Sequence, residues 1–263
     1  MEYSIIDFHT HPFDGAERNI CSYVGDTPMD MQKAKQAALR LGVKKICGSV
    51  IELPCRGIGS FDDIKKLNDI ALRLEEELDG FYIPGFHVHP NYVKESIAEI
   101  ERMAARGVKL MGELVPYIHT WSTYYDKNVA EILEAAAHYK MVVSIHGPDN
   151  EQQENQMDEL VKAHKDVVIV AAHPNEKHAF LRHLNRMEWS ENYYLDLSGT
   201  GVFRHGMLRF GIDKMGAERF LFGTDYPICN PAVFIGGVAM DSLITETEKR
   251  KILYDNAAKL LGL

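Results

Sequence analysis

A single closed (β/α)8 barrel is the fold class this sequence predicts, on three observations. Eight short runs rich in Val, Ile, Phe or Tyr recur about every 25 to 40 residues, the length of a strand plus the helix that follows it. The stretches between them change to the three- and four-residue apolar step of helices. The 263 residues are close to the roughly 250 of such a barrel. Strands alternating with helices build a parallel sheet, and eight of each in this length favour closure over an open, doubly wound sheet. No linker, low-complexity tract or close repeat breaks the alternation, so residues 1–263 read as one domain.

The first run, residues 3 to 9, leads straight into His9 and His11, one residue apart. The second, 43 to 51, begins after Gly42, where a helix should stop. Ile64, Leu67, Ala71, Leu74 and Leu78 then fall on one helical face, with Ser60 and Asp63 as a capping pair. The third run, 81 to 88, carries GFHVHP with His87 and His89; the fourth, 107 to 113, starts at Gly107 and ends MGELVP with Glu113. The fifth, 141 to 146, ends VSIHG with His146, and the sixth, 167 to 173, ends VAAHPN with His173. After the seventh, 193 to 198, comes LSGTGVFRHG with Arg204. The eighth, 220 to 224, follows Gly216 and runs into FLFGTDYP with Asp225. A last helix starts at Thr245 and Glu248 in TETE, ahead of Ile252, Leu253, Leu260 and Leu261.

In such a barrel the chemistry sits at the C-terminal rim of the strands. Six of the twelve histidines fall there by this reading, an excess that favours a metal site over coincidence. Side chains two apart on a strand face the same way, so His9 and His11 are expected to point together into the mouth while Thr10 points away. Imidazoles and carboxylates are ligands of zinc and similar divalent ions, and catalytic sites keep one position open for water. The candidate ligands are His9, His11, Glu113, His146, His173 and Asp225. His87 and His89 share the rim and are expected to support or pack rather than ligate. Trp121, among His119, Tyr117, Tyr124 and Tyr125 in the loop after the fourth strand, is a candidate wall of a substrate pocket. Arg204 is the candidate grip for a substrate carboxylate, which a guanidinium holds by two hydrogen bonds, with a plain surface role as the alternative.

Composition narrows the class. Hydrophobic residues at 46% and charged residues at 25% describe an ordinary globular protein. A net charge of -9 argues against general nucleic-acid affinity, which needs a basic face. No apolar stretch reaches the roughly 20 residues of a membrane helix, and no secretory leader precedes the first strand, so a cytoplasmic location is expected. Cys21, Cys47, Cys55 and Cys229 form no CxxC, which suits structural thiols in a reducing compartment.

The pieces IIDFHTH, VSIHG, AAHPN, FLFGTDYP and the closing ILYDNAAKLLGL span the chain, and at these residues it resembles the amidohydrolase superfamily of metal-dependent barrels. The nearest likeness is to the amidohydrolase-2 group, which includes hydrolases and the aminocarboxymuconate-semialdehyde decarboxylase type. The resemblance implies that His9, His11, His146 and Asp225 ligate a metal, with His173 a further ligand or a catalytic acid. Glu113 in its GEL stretch is similar to the bridging glutamate of TatD-like hydrolases; Lys109, deeper on the same strand, is the alternative that binuclear members carboxylate. The decarboxylases usually run longer, with added loops, whereas this chain is close to a minimal barrel.

The leading expectation is therefore a metal-dependent hydrolase of a small ester, lactone, amide or phosphoester. It would use one or two divalent ions, zinc first and manganese second. Asp225 would take the proton of a metal-activated water and return it to the leaving group, while His173 would stabilise the developing charge. The alternatives are a nonoxidative decarboxylase of a carboxylated aromatic substrate, a TatD-like nuclease, and a barrel kept only for assembly. Many superfamily members are homodimers or larger, so the resemblance leaves a homo-oligomer open.

Overall fold

The computed structural model describes residues 3–15, 29–51, 58–121, 123–201 and 204–263; Cys21 and Cys55 lie outside the described residues. Eight strands form one parallel sheet in sequential order: β1 (Ile5–Asp7), β2 (Val43–Ser49), β3 (Tyr82–Phe86), β4 (Leu110–Leu114), β5 (Val142–Ile145), β6 (Val168–Ala171), β7 (Tyr193–Asp196) and β8 (Phe220–Leu221). The first and last edges are joined by Phe8 N donating to Phe222 O (2.8 Å), Asp225 N to His9 O (2.8 Å) and His11 N to Tyr226 O (2.7 Å). Thr10 and Tyr226 form a parallel bridge there. The predicted (β/α)8 barrel is thus what the chain forms.

The helices of the outer layer alternate with these strands. They are α1 (Met31–Arg40), α2 (Phe61–Glu77), α3 (Val93–Ala105), α4 (Lys127–His138), α5 (Glu151–Ala163), α6 (Lys177–Trp189), α7 (Met207–Met215), α8 (Pro231–Ala239), α9 (Glu246–Arg250) and α10 (Asn256–Leu261). The predicted apolar face of α2, Ile64, Leu67, Ala71 and Leu74, is buried as expected. Fully burying each such aliphatic side chain contributes about 1.5–3 kcal/mol. Asp63 Oδ2 accepts from Ser60 N at 3.2 Å, the start signal read in the sequence. No helix among the described residues is long and apolar enough to cross a membrane.

Two apolar layers result. Inside the barrel, Ile6, Phe8, Cys47, Leu110, Val142, Val170 and Leu221 pack together, and Ala257 and Leu261 of α10 join them. The larger cluster packs the helices on the outer faces of the strands. With its lower interior filled, the barrel has its polar side chains concentrated at the strand C-termini. Both edge strands are shorter than predicted: β1 stops at Asp7 and β8 at Leu221. Beyond those points the backbone still hydrogen-bonds across the seam but leaves regular pairing, and His9, His11 and Asp225 come together there.

The C-terminal segment locks this seam. Thr245 N donates to Glu248 Oε2 (2.8 Å) and Glu248 N to Thr245 Oγ1 (3.3 Å), a reciprocal cap that starts α9. A π-helical turn at Lys251–Asp255 then leaves Ile252 O to accept from Phe222 N (3.0 Å), and Asn256 Nδ2 donates to Ala217 O and Phe220 O, each at 2.8 Å. Thr245→Ala removes one half of the cap. It should lower equilibrium stability by about 1 kcal/mol, read from the urea midpoint at unchanged slope. Metal content should not change.

Candidate metal centre

The strand ends carry their side chains to the mouth for local reasons. Thr10 N donates to Cys47 O (2.8 Å) and His11 N to Tyr226 O (2.7 Å), so the segment after β1 stays extended. His9 and His11 therefore project together while the Thr10 hydroxyl donates to Cys47 O at 2.9 Å. Glu113 depends on the residue before it: a Cβ on Gly112, at φ +104°, would lie 2.1 Å from Ser144 O. Only glycine lets β4 approach β5 so closely. His146 follows β5, its N–H bonded to Leu114 O (2.9 Å). His173 and Asp225 both sit in the left-handed region, at φ 68° and 67°. Such strain in non-glycine residues concentrates at functional sites.

These residues converge. His9 Nε2, His11 Nε2 and Glu113 Oε2 are each 3.3 Å from one another. Asp225 Oδ1 lies 3.5 Å from His9 Nε2 and 3.3 Å from His11 Nε2. Glu113 Oε1 is 3.7 Å from His173 Nε2 and 3.0 Å from His146 Nδ1. Two compact donor groups share His9: one with His11 and Asp225, the other with Glu113 and His173. His146 belongs to neither; its Nδ1 faces Glu113, and its side chain is 15% exposed, more open than its neighbours at the centre.

Three features fit a divalent ion. Donors about 2.0–2.1 Å from one tetrahedral ion lie about 3.3 Å apart, which matches the separations of His9 and His11 from each other, from Glu113 and from Asp225. Asp225 Oδ1 is buried yet accepts no hydrogen bond among the described residues, an orphan acceptor that a cation or a ligand would satisfy. The outer ring nitrogens are also occupied. His9 Nδ1 donates to Asp196 Oδ2 (2.9 Å), His11 Nδ1 to Ser49 O (3.1 Å) and His173 Nδ1 to Ser198 O (3.2 Å). Each partner leaves the Nε2 lone pair facing the centre, the arrangement that orients metal-ligating imidazoles. In spacing and in chemistry, the donor set fits a divalent metal ion.

Charge tells the same story. Burial opposes protonation of His11, but Asp225 and Glu113 beside it lift it to about 9. Burial also opposes charge on His9, yet Glu113 and Asp196 raise it well above the usual imidazole range. Burial favours a neutral Glu113, but His9, His11 and His146 hold it well below the ordinary carboxylate value. His146 is raised because Glu113 outweighs its burial, whereas burial prevails at His173 and lowers it. The centre attracts positive charge and takes protons when nothing else is supplied.

The other residues that the sequence singled out lie apart from this cluster. Lys109 donates to Leu261 O (3.3 Å) at the end of α10, beside the barrel floor, and so does not reach the ligand set. Arg204 is exposed and engages the Glu176 carboxylate. Trp121 is buried in the loop after β4, its indole nitrogen without a partner among the described residues. His87 Nε2 is held by Val50 O (3.0 Å) and His89 Nε2 by His119 O (2.9 Å), supporting contacts as expected. His87 and His119 stack edge to face at 4.4 Å, and burial keeps both neutral, His87 at about 4.

Sequence reasoning missed the residues that hold these imidazoles and Asp225 in place. Asp196 and Ser198 close a polar chain: the Ser198 hydroxyl donates to Asp196 and lies 3.0 Å from both His9 Nδ1 and His173 Nδ1. A Cβ on Gly199, at φ +62°, would come 2.4 Å from His173 Nδ1. Asp7 accepts from Thr224 N (2.9 Å) and Thr224 Oγ1 (2.6 Å), tying β1 to the loop that carries Asp225. The signal for Asp196 was its place at the end of the seventh strand, and for Asp7 its place two residues before His9.

The amidohydrolase family model matches residues 6–263. No curated protein sequence matches the chain. Among solved structures it is similar to 2,6-dihydroxybenzoate decarboxylase from Rhizobium, at 15% identity and TM-score 0.71 over 99% of each chain. It is also similar to a dihydroxybenzoic acid decarboxylase from Polaromonas sp. JS666 with bound manganese, at 15% identity and TM-score 0.74 over 99% of this chain and 97% of that one. A third likeness is to 5-carboxyvanillate decarboxylase from Novosphingobium aromaticivorans with bound manganese, at 14% identity and TM-score 0.75 over 100% and 98%. At these identities the likeness shows the shared fold.

Metal binding must displace the protons that the apo centre holds. Because His11 titrates near 9, affinity for Mn2+ or Zn2+ should rise with pH up to that point, about tenfold per unit for each proton released. Competition titrations between pH 6 and 9 check this; a flat profile would show that the imidazoles are already free. Asp196→Asn leaves every inner donor in place and should still weaken metal affinity about 10- to 100-fold, because His9 loses the carboxylate that orients it.

Proposed function

On the premise that this chain belongs to the amidohydrolase family, we propose that it is a divalent-metal-dependent, nonoxidative decarboxylase of a small carboxylated aromatic substrate. The observation that carries the metal dependence is Asp225 Oδ1, a buried oxygen without a hydrogen bond among the described residues, beside two imidazoles whose outer nitrogens are anchored. The manganese-bound decarboxylases that share this fold support the choice of reaction. Their superpositions run over 97% and 98% of their own chains, so the brevity of this chain is no argument against it.

His9, His11, Glu113 and Asp225 would hold the ion, manganese or zinc, with His173 at its edge. The ion supplies positive charge that binds and polarises the oxygens of a carboxylate or a neighbouring hydroxyl. Decarboxylation breaks the bond between ring carbon and carboxylate, leaves the electron pair on carbon and replaces carbon dioxide by a proton. Asp225 would take a proton from solvent and pass it to the ring carbon, where the electron pair of the broken carbon–carbon bond forms the new C–H bond; its Oδ1 accepts no hydrogen bond among the described residues and so is open to that exchange. His173, neutral and fixed through Ser198, keeps the carboxyl end of the substrate in place. His146 Nδ1 lies 3.0 Å from Glu113 Oε1, so the imidazole would orient the outer oxygen of that carboxylate.

Hydrolysis is the second reading, because the same Asp225 oxygen is equally placed to take a proton from water. Substrate and product chemistry separate the two. A nucleic-acid substrate has no support from a net charge of -9. Small substrates, a cytoplasmic setting and a homo-oligomer are consistent with this proposal.

Metal-loaded protein given ortho-hydroxylated benzoates in 18O-labelled water should release carbon dioxide and form a decarboxylated ring without 18O. Product carrying 18O from an ester or amide panel, with no carbon dioxide, would make the enzyme a hydrolase. Asp225→Asn should lower kcat at least about a hundredfold. Metal analysis of the same sample is needed, and full activity with metal retained would overturn the proton role.

A further inference from the structure

Beside the metal centre lies a cavity of about 270 Å3 whose walls include Tyr117, Trp121, Tyr124 and Asp149. That volume is just under the roughly 300 Å3 at which whole small-molecule sites begin, so it suits a substituent better than an entire substrate. The pocket adjoins the ligand set through His146: the Tyr117 ring stands 5.1 Å from the His146 ring at 70°, and Tyr124 Oη donates to Gly147 O at 3.2 Å. His146 in turn reaches Glu113 at 3.0 Å.

The lining has a consistent electrostatic sense. Aromatic faces carry negative potential, the one ionisable acid in the wall is Asp149, and no Lys or Arg among the described residues lines the space. Tyr124 has its hydroxyl engaged with a backbone carbonyl, so it offers its ring to the pocket rather than a proton. Thr120, Gln153 and the Trp121 indole N–H add neutral polar groups to the wall, but its one formal charge is the Asp149 carboxylate, so an ammonium would meet three aromatic residues and an opposite charge, and an anionic group a like one. We propose that this pocket binds an alkylammonium substituent of the substrate, which is thereby a carboxylated compound with a cationic arm, anchored at opposite charges on its two ends. The substrate assignment rests on the catalytic reading above; the cation preference of the pocket does not.

The chain has two tryptophans, and Trp189 on α6 stacks with Lys162 at 4.0 Å. Trp189→Phe leaves Trp121 as the sole indole reporter. On chelator-stripped protein, benzyltrimethylammonium should quench it saturably, and benzoate should not. Asp149→Asn and Tyr117→Leu, made in the same background, should each weaken the cation about three- to tenfold. Both titrations are run on metal-loaded and on chelator-stripped protein, and the quench should persist in each. Equal binding of benzoate by the stripped protein, unchanged affinity in both variants, or no saturable quench would overturn the proposal. Since the stripped protein is tested alone, failure here counts against the pocket only, while absence of carbon dioxide release counts against the catalytic reading only.

Discussion

Everything at the mouth of this barrel depends on one constraint: three carboxylates, Glu113, Asp196 and Asp225, are buried within reach of His9 or His11. Removing a carboxylate from water costs several kcal/mol unless positive charge comes with it. In the metal-free protein the imidazoles supply that charge by taking protons, which is why His9 and His11 are pushed upward and Glu113 and Asp196 downward. A divalent ion satisfies the same demand better, because it reaches several oxygens and nitrogens at once. Asp225 Oδ1 is where the protonic solution remains incomplete.

The barrel makes this concentration of charge sustainable. Its lower interior is filled by Ile6, Cys47, Leu110, Val142 and Leu221, so water has no route to the ligands from below. Its seam is closed by backbone bonds between residues 8 to 11 and 222 to 226, which fixes the first and last strands relative to each other. His9 and Asp225 come from opposite ends of the chain and share one of those bonds directly, Asp225 N to His9 O. The left-handed backbone at His173 and Asp225 is a local cost, of order 1–3 kcal/mol each. The dense packing and hydrogen bonding around both residues offset it.

How much of this was legible in the sequence follows from what local patterns encode. All eight strands were visible, because each is a short β-branched or aromatic run followed by a helical period. The convergence at the mouth was visible too, since a barrel concentrates its polar side chains at strand ends and His9, His11, Glu113, His173 and Asp225 come together there. The outer contacts were not. Whether His146 ligates or instead pairs with Glu113 depends on a ring orientation, and whether Lys109 faces the mouth or the floor depends on its depth along β4. Asp196 and Ser198 looked like an ordinary strand end, for their role appears only when β7 is set beside His9 and His173. The shortening of β1 and β8 was likewise invisible, because the residues that leave regular pairing keep the apolar character of a strand up to Phe8 and Phe222.

Asp7 shows how far such a site reaches into its scaffold. It sits two residues before His9, is fully buried, and is pushed by that burial to about 7 despite two hydrogen bonds from Thr224. The Thr224 hydroxyl that donates to Asp7 also accepts from Tyr226 N at 3.1 Å. The carboxyl group thus braces both flanks of Asp225 without touching the metal position. Placing a charge-prone group behind the ligand, rather than an apolar one, is explicable if location matters more than stability. An aliphatic residue would pack there without polar bonds and leave the GTDYP loop free to slide by fractions of an ångström. Such a displacement is large against the tolerance of a coordination shell, where donors lie within about 0.2 Å of their ideal distances. The side chain that bonds no ligand therefore sets how well the ligands meet.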